Sequence, residues 1–254
     1  MLTGITSITF RELNPAEIVR LVKDAGLDGI EWGADIHCPP GNLQNARDVA
    51  RLTEESGLKS ISYGTYYNTG NPKDNNFEDI VETAAVLGAG NIRIWTGDIH
   101  SKDASEEYRN SSVREIKRVA ALAAARGITV SFEYHHTTLT DFIEPTVRLL
   151  NDVNMDNVFT YWQPQAYSVV EENVKDIELL VQMKKLKNLH VFSWEGFEKL
   201  PLVAHADRWQ KYVAAAAPCE PALLLEFVKE PGQFSEDALQ LKKFANSPPG
   251  RGGA

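Results

Sequence analysis

Apolar residues along this chain change their period in a regular rhythm. Short runs that are continuous or alternating read as strands: Gly4–Phe10, Gly29–Trp32, Ser60–Gly64, Asn91–Trp95, Ile128–Glu133, Asn157–Gln163, Leu189–Phe192 and Ala222–Val228. Between them apolar residues recur at three and four positions, as in Val113, Ile116, Val119 and Ala120, or Ile177, Leu180 and Val181. That period predicts helices over Pro15–Ala25, Leu43–Ser56, Phe77–Leu87, Ser112–Arg126, Phe142–Asp152, Val170–Met183, Asp207–Ala217 and Glu236–Asn246. Asn14, Asn42, Ser111 and Ser235 stand where capping side chains belong, and Gly26, Gly57, Gly88 and Gly127 stand where helices stop.

Eight strand–helix units of about 30 residues each, without a break in composition, are what a single (β/α)8 TIM barrel requires. The competing architecture is an open doubly wound sheet, but no Gly-x-Gly-x-x-Gly follows the first strand to mark its dinucleotide site. In Ile128–Glu133 the apolar set Ile128, Val130 and Phe132 is expected to face the helices, which turns Glu133 into the barrel near its C-terminal rim. Arg93 and Trp95 likewise fall opposite Ile92 and Ile94.

Four polar residues then stand at the ends of late strands: Glu133, Gln163, His190 and Glu226. Ionisable groups there cost desolvation energy unless something pairs with them. Two carboxylates, an imidazole and an amide oxygen form a mixed nitrogen and oxygen donor set suited to one divalent metal ion, with Mn²⁺ first and Mg²⁺, Co²⁺, Fe²⁺ or Zn²⁺ as alternatives. The bland alternative is that both glutamates are ion-paired inside the barrel and His190 bonds a neighbour.

Composition narrows the partners. Lys and Arg number 26 against 35 Asp and Glu, a net charge of -9, with no basic cluster interleaved with aromatics, so nucleic acid is not an expected partner. No apolar run approaches the roughly 20 residues that span a bilayer, and the N-terminus lacks the regions of a signal peptide. Cys38 and Cys219 lack zinc-type spacing and are expected to be reduced in a cytoplasmic protein. The expected domain is 1–246, followed by a disordered C-terminal tail, 247–254.

The motifs Gly29-Ile-Glu-Trp-Gly33 with His37, Phe132-Glu-Tyr-His-His136 followed by Thr138-Leu-Thr-Asp141, Leu189-His190-Val191 and Leu224-Leu-Glu-Phe227 resemble the xylose isomerase-like barrel superfamily. The likeness is strongest to its sugar phosphate isomerase/epimerase group, which includes ketose 3-epimerases and inosose dehydratases. It implies a metal held by Glu133, His190 and Glu226, with those two glutamates as the catalytic proton carriers and a small carbohydrate as substrate. It also admits a homo-oligomer, since relatives are often dimers or tetramers. Gln163 departs from the pattern, because the family more usually has a carboxylate there. The same site admits a lyase, or a catalytically silent sugar-binding barrel.

Other residues keep two readings each. His37 resembles the family's substrate-facing histidine or is a plain loop residue. His135 shares a strand face with Glu133, whereas His136 points the other way as a structural residue. Trp194, Tyr66 and Tyr67 offer flat surfaces for a sugar or simply pack. Arg208 holds an anionic group or opens a solvated helix. Glu31 is expected to pair with Arg93, and Lys229 invites a Schiff-base reading that nothing nearby supports.

Overall fold

In the computed structural model, which describes residues 1–70, 76–165, 169–228 and 231–246, local capping chemistry sets most helix limits. Helix α1 (Pro15–Asp24) opens on a reciprocal box between Asn14 and Glu17, and α2 (Leu43–Glu55) on the Asn42 side chain. Gly26, Gly57, Gly88 and Gly127 all have positive φ, from 67° to 76°, and end their helices in the left-handed conformation. The remaining helices are α3 (Phe77–Leu87), α4 (Glu106–Ala124), α5 (Ile143–Val153), α6 (Val170–Gln182), α7 (Ala206–Ala216) and α8 (Pro231–Asn246). Helix α4 starts six residues before its expected onset, because Ser105 and not Ser111 accepts the first-turn amide, that of Tyr108. The expected tail and Lys229 lie outside the described residues.

The strands are β1 (Thr3–Thr6), β2 (Gly29–Gly33), β3 (Lys59–Asn68), β4 (Asn91–Trp95), β5 (Thr129–Phe132), β6 (Val158–Trp162), β7 (Leu186–Val191), a two-stranded hairpin of β8 (Trp194–Glu195) and β9 (Glu198–Lys199), and β10 (Ala222–Leu225). Strands β1 to β7 and β10 pair in parallel, in sequence order, and close with β10 against β1. The fold is therefore a single (β/α)8 TIM barrel. The β8–β9 hairpin, too short to carry a period, was not foreseen.

Apolar residues of the strands face outward as expected. Ile30, Ile92, Ile94, Val130, Phe132, Val191 and Leu223 are fully buried and join the helices' inner faces, including Ile18, Ile116, Leu149, Ile177 and Trp209, in one continuous core. Inside the barrel a second, small cluster of Tyr161, Ala222 and Leu224, with Leu2 and Ile61, fills the end opposite the candidate residues. The Ile61 side chain fits there because Gly4 and Gly29 have none. A Cβ on Gly29 would lie 2.3 Å from the Lys59 carbonyl oxygen and 2.9 Å from Ile61.

Strand β1 ends four residues early. Thr6 and Thr9 share a hydroxyl contact of 3.1 Å, and Ser7 accepts the Gly33 amide at 2.8 Å, so Ser7–Phe10 winds into a 3-10 turn. Gly29→Ala is expected to lower stability by about 1–3 kcal/mol through overpacking, read as a lower urea midpoint with unchanged slope. Gly90→Ala, where a Cβ meets nothing within 4 Å, should leave the midpoint unchanged or raise it.

Candidate active site

Three of the four strand-end candidates sit one residue past their strands: Glu133 after β5, Gln163 after β6 and Glu226 after β10, while His190 lies within β7. The ladder continues just far enough to aim the two glutamates, since the Glu133 amide donates to Ile94 and the Glu226 amide to Val191, each at 3.0 Å. His190 Nδ1 lies 3.8 Å from Glu133 Oε1 and 3.4 Å from Glu226 Oε2. One donor atom from each of the three residues falls within 4.8 Å of the others. All three side chains are buried.

A third carboxyl joins them. Glu31 on β2 lies 3.5 Å from His190 Nε2 and accepts from Arg93 Nε at 3.0 Å, Ser62 at 2.7 Å and Tyr161 at 2.8 Å. Tyr161 in turn receives N–H donors from Asn91 and Asn188, so a hydrogen-bonded polar floor underlies the site. Arg93 bridges the acids, donating to Glu31 through Nε and to Glu133 through Nη1, and is itself 1% exposed. The Trp95 indole N–H also donates to Glu133.

The pairing of Glu31 with Arg93 thus holds, but sequence reading missed the second arm of Arg93 and the approach of Glu31 to His190. The alternation that turned Arg93 inward was the signal for the first, whereas the approach of Glu31 to His190 joins β2 to β7 and had no local signal.

Burial opposes ionisation of Glu31, yet Arg93, His190 and the Ser62 hydroxyl outweigh it and hold its carboxyl well below the usual range. Glu226 goes the other way. Burial, with the neighbouring Glu133 and Glu31 carboxylates, pushes it up to about 7 against the pull of His190 and Arg93.

Ionised together, the three glutamates leave two negative charges beyond what Arg93 matches when His190 is neutral. Several polar atoms are also left over: both ring nitrogens of His190, Oε2 of Glu226 and Oε1 of Gln163 are buried without a hydrogen bond. Excess negative charge and orphaned nitrogen and oxygen donors suit a hard or borderline dication. Glu31 behind Nε2 would then orient the His190 ring, as carboxylates do behind ligating histidines.

A cavity of about 180 Å³ opens onto this cluster, lined by Ile8, Thr9, Arg11, Tyr66, Arg93, Trp95, Glu133, His135, Glu226 and Phe227. Two expected contact residues line it. Tyr66 is 5.9 Å from Trp95, and His135 stacks on the same indole at 4.7 Å.

The structure does not bring His37, Trp194 or Arg208 onto that wall. His37 is buried with both nitrogens used, Nδ1 against the Ser7 hydroxyl at 2.8 Å and Nε2 against the Leu13 carbonyl at 3.0 Å. Trp194 packs on Phe227 at 5.1 Å, one layer behind the cavity, and Arg208 lies exposed in the first turn of α7. Tyr67 packs into the core on Phe77 and bonds Glu115, whereas His136, expected to be structural, is exposed and stacks on His135. Arg11, Ile8 and Thr9 were missed because strand β1 was expected to run through Phe10. A wider depression of about 1000 Å³ at the other end of the barrel, around Leu2, Ser60, Asn188 and Ala222, holds none of the candidate residues.

The family model described as xylose isomerase-like TIM barrel matches residues 19–218. The chain belongs to this family. Among solved structures, the probable 3-DHS dehydratase AsbF involved in petrobactin synthesis from Bacillus anthracis superposes with a TM-score of 0.80 at 18% identity, covering 95% of this chain and 99% of that one. A D-psicose 3-epimerase with D-tagatose from Clostridium cellulolyticum H10 gives 0.73 at 15% identity, covering 96% and 98%. A xylose isomerase-like TIM barrel protein from Mycobacterium smegmatis in complex with magnesium gives 0.73 at 13%, covering 96% of each chain. At such identities the likeness is one of fold. No curated protein sequence matches the chain. Among the described residues no helix is long and apolar enough to cross a membrane, and Cys38 and Cys219 are both free.

A raised Glu226 makes the metal-free family member more stable in its protonated form. That contribution is full below about 4.5 and is lost as pH rises towards 7. Kept free of metal by chelator, Glu226→Gln is therefore expected to melt above the unsubstituted chain at pH 8, with the gap closing towards pH 5 at no more than about 1.4 kcal/mol per pH unit.

Proposed function

We propose that this barrel is a divalent-metal-dependent isomerase or epimerase acting on a small sugar, keto-sugar or cyclitol. The observation that carries the reading is the convergence of Glu133, His190 and Glu226 donor atoms within 4.8 Å, beside a cavity that the two glutamates line. Both the donor set and the unmatched negative charge fit a bound dication, with Mn²⁺ the first candidate. When bound, such an ion supplies Lewis-acid stabilisation of negative charge developing on a substrate oxygen.

The protein's own groups then divide the work. Glu133 is anchored by Arg93 and Trp95 on one oxygen, which keeps its other oxygen, Oε1, towards His190. The Oε2 atom of Glu226 lacks any hydrogen bond, so this carboxyl is the one able to shift between holding an ion and carrying a proton. In the reading, Glu226 removes or returns the proton on the carbon next to the substrate carbonyl, and Glu133 serves the opposite face. Trp95, Tyr66 and His135 form an aromatic wall for one face of the substrate. The cavity lies below the roughly 300–1,000 Å³ typical of drug-sized ligands, which supports a single small molecule over an oligosaccharide.

A lyase remains the second reading. The same proton abstraction expels a β-substituent where the substrate has one, and Gln163, whose Oε1 is buried without a hydrogen bond, is the feature of this chain that departs from the family pattern. Release of water or of an alcohol from a keto-substrate separates the two.

Solvent exchange tests the shared first step. Incubated in D₂O with Mn²⁺ and a panel of keto-sugars, the protein is expected to place deuterium on the carbon adjacent to a carbonyl, detected by NMR. Glu226→Gln should slow this by about 10²–10⁴-fold with an unchanged circular dichroism spectrum. Undiminished exchange in that variant would remove Glu226 from the chemistry.

A further inference from the structure

The early end of β1 has a consequence for what the cavity admits. Because Ser7–Phe10 winds into a 3-10 turn, the chain brings Arg11 to the cavity wall beside Ile8 and Thr9. The guanidinium is held from two sides, through Nη1 by Asp35 and through Nη2 by the Tyr66 hydroxyl at 2.7 Å. These two contacts fix its plane but use only part of its five N–H donors. Its side chain is 45% exposed, which leaves the guanidinium open to approach from the cavity side.

Lys199 adds positive charge nearby. Its ammonium lies 5.6 Å from the centre of the Phe227 ring, another residue of the cavity wall. Among the described residues Lys199 makes no side-chain hydrogen bond or ion pair. The metal-candidate end of the cavity is thus acidic, while Arg11 and Lys199 are cationic elements of its wall and surroundings. Arg11 is held in place by contacts that a merely solvated arginine does not need.

We infer that the substrate carries an anionic substituent, a carboxylate or a phosphate, which Arg11 binds while the carbonyl end faces Glu133 and Glu226. This rests on the proposed reaction and narrows its substrate class to acidic keto-sugars, sugar phosphates or carboxylated cyclitols. Arg11 is the specificity-determining residue and Tyr66 and Asp35 position it. Ile8 and Phe227 provide the apolar surface between the two polar ends.

The test uses three six-carbon ketoses on the Mn²⁺-supplemented full chain: neutral D-fructose, D-fructose 6-phosphate and 5-keto-D-gluconate. Calorimetry is expected to show at least one anionic probe binding about 10–100-fold more tightly than D-fructose, the range of a charge-assisted hydrogen bond. Preference for the phosphate or for the carboxylate identifies the source of the charge. Arg11→Gln should weaken the preferred anionic probe about 10–100-fold more than it weakens D-fructose, and Arg11→Lys should restore part of that preference.

Equal weakening of neutral and anionic probes would mean that Arg11 only supports the loop. Absence of any anionic preference in the unsubstituted chain, binding of neither anion included, would equally overturn the inference. Deuterium exchange is followed in the same samples: exchange without anion preference removes this inference alone, whereas its loss on all substrates removes the proposed reaction.

Discussion

Three buried carboxyls compete for one guanidinium in this barrel, and the rest of the site is arranged around that imbalance. Arg93 reaches Glu31 and Glu133 but makes no bond to Glu226. Removing an ion from water costs several kcal/mol even after relaxation, so an unmatched interior carboxylate persists only where something else neutralises it. Below about pH 7 a proton does so for Glu226, which is the physical content of its raised pKa. A dication would do it for the whole cluster and would satisfy both His190 and Glu226 at once.

The barrel makes such a cluster inexpensive to build. Parallel strands that end at the same rim deliver side chains from β2, β4, β5, β7 and β10 to one point without any long loop having to be ordered. Beneath the acids, Tyr161, Asn91, Asn188 and Ser62 form a hydrogen-bonded floor, and beneath that the apolar plug of Ile61 and Leu224 closes the barrel against the two glycines. Each layer fixes the one above it. The floor satisfies Glu31 and Tyr161, whereas both ring nitrogens of His190 and Oε2 of Glu226 above it have no hydrogen bond.

Much of this was legible along the chain because two periods alternate cleanly and because Glu133, His190 and Glu226 interrupt apolar runs where no surface residue belongs. The closed barrel follows from eight such units, and the inward direction of Arg93 from its alternation with Ile92 and Ile94. What could not be read depends on contacts between distant segments. The Ser7–Phe10 turn answers to Gly33 and His37, so the arrival of Arg11 at the cavity was invisible, as was the use of both His37 nitrogens by Ser7 and Leu13. Trp194 and Arg208 are set by a hairpin and a helix start whose placement no local pattern encodes. Helix α4 begins early for a simpler reason: two serines are available as caps, and it is Ser105, six residues before Ser111, that accepts the Tyr108 amide.

In the proposed function Glu133, His190 and Glu226 share one divalent ion. Isothermal titration of the chelator-treated chain with Mn²⁺, combined with elemental analysis of the purified protein, tests it most directly. One ion per chain is expected, with binding weakened at least about 10-fold in His190→Ala and in Glu226→Gln. A chain that takes up no divalent ion, or one whose uptake is indifferent to both substitutions, would contradict it.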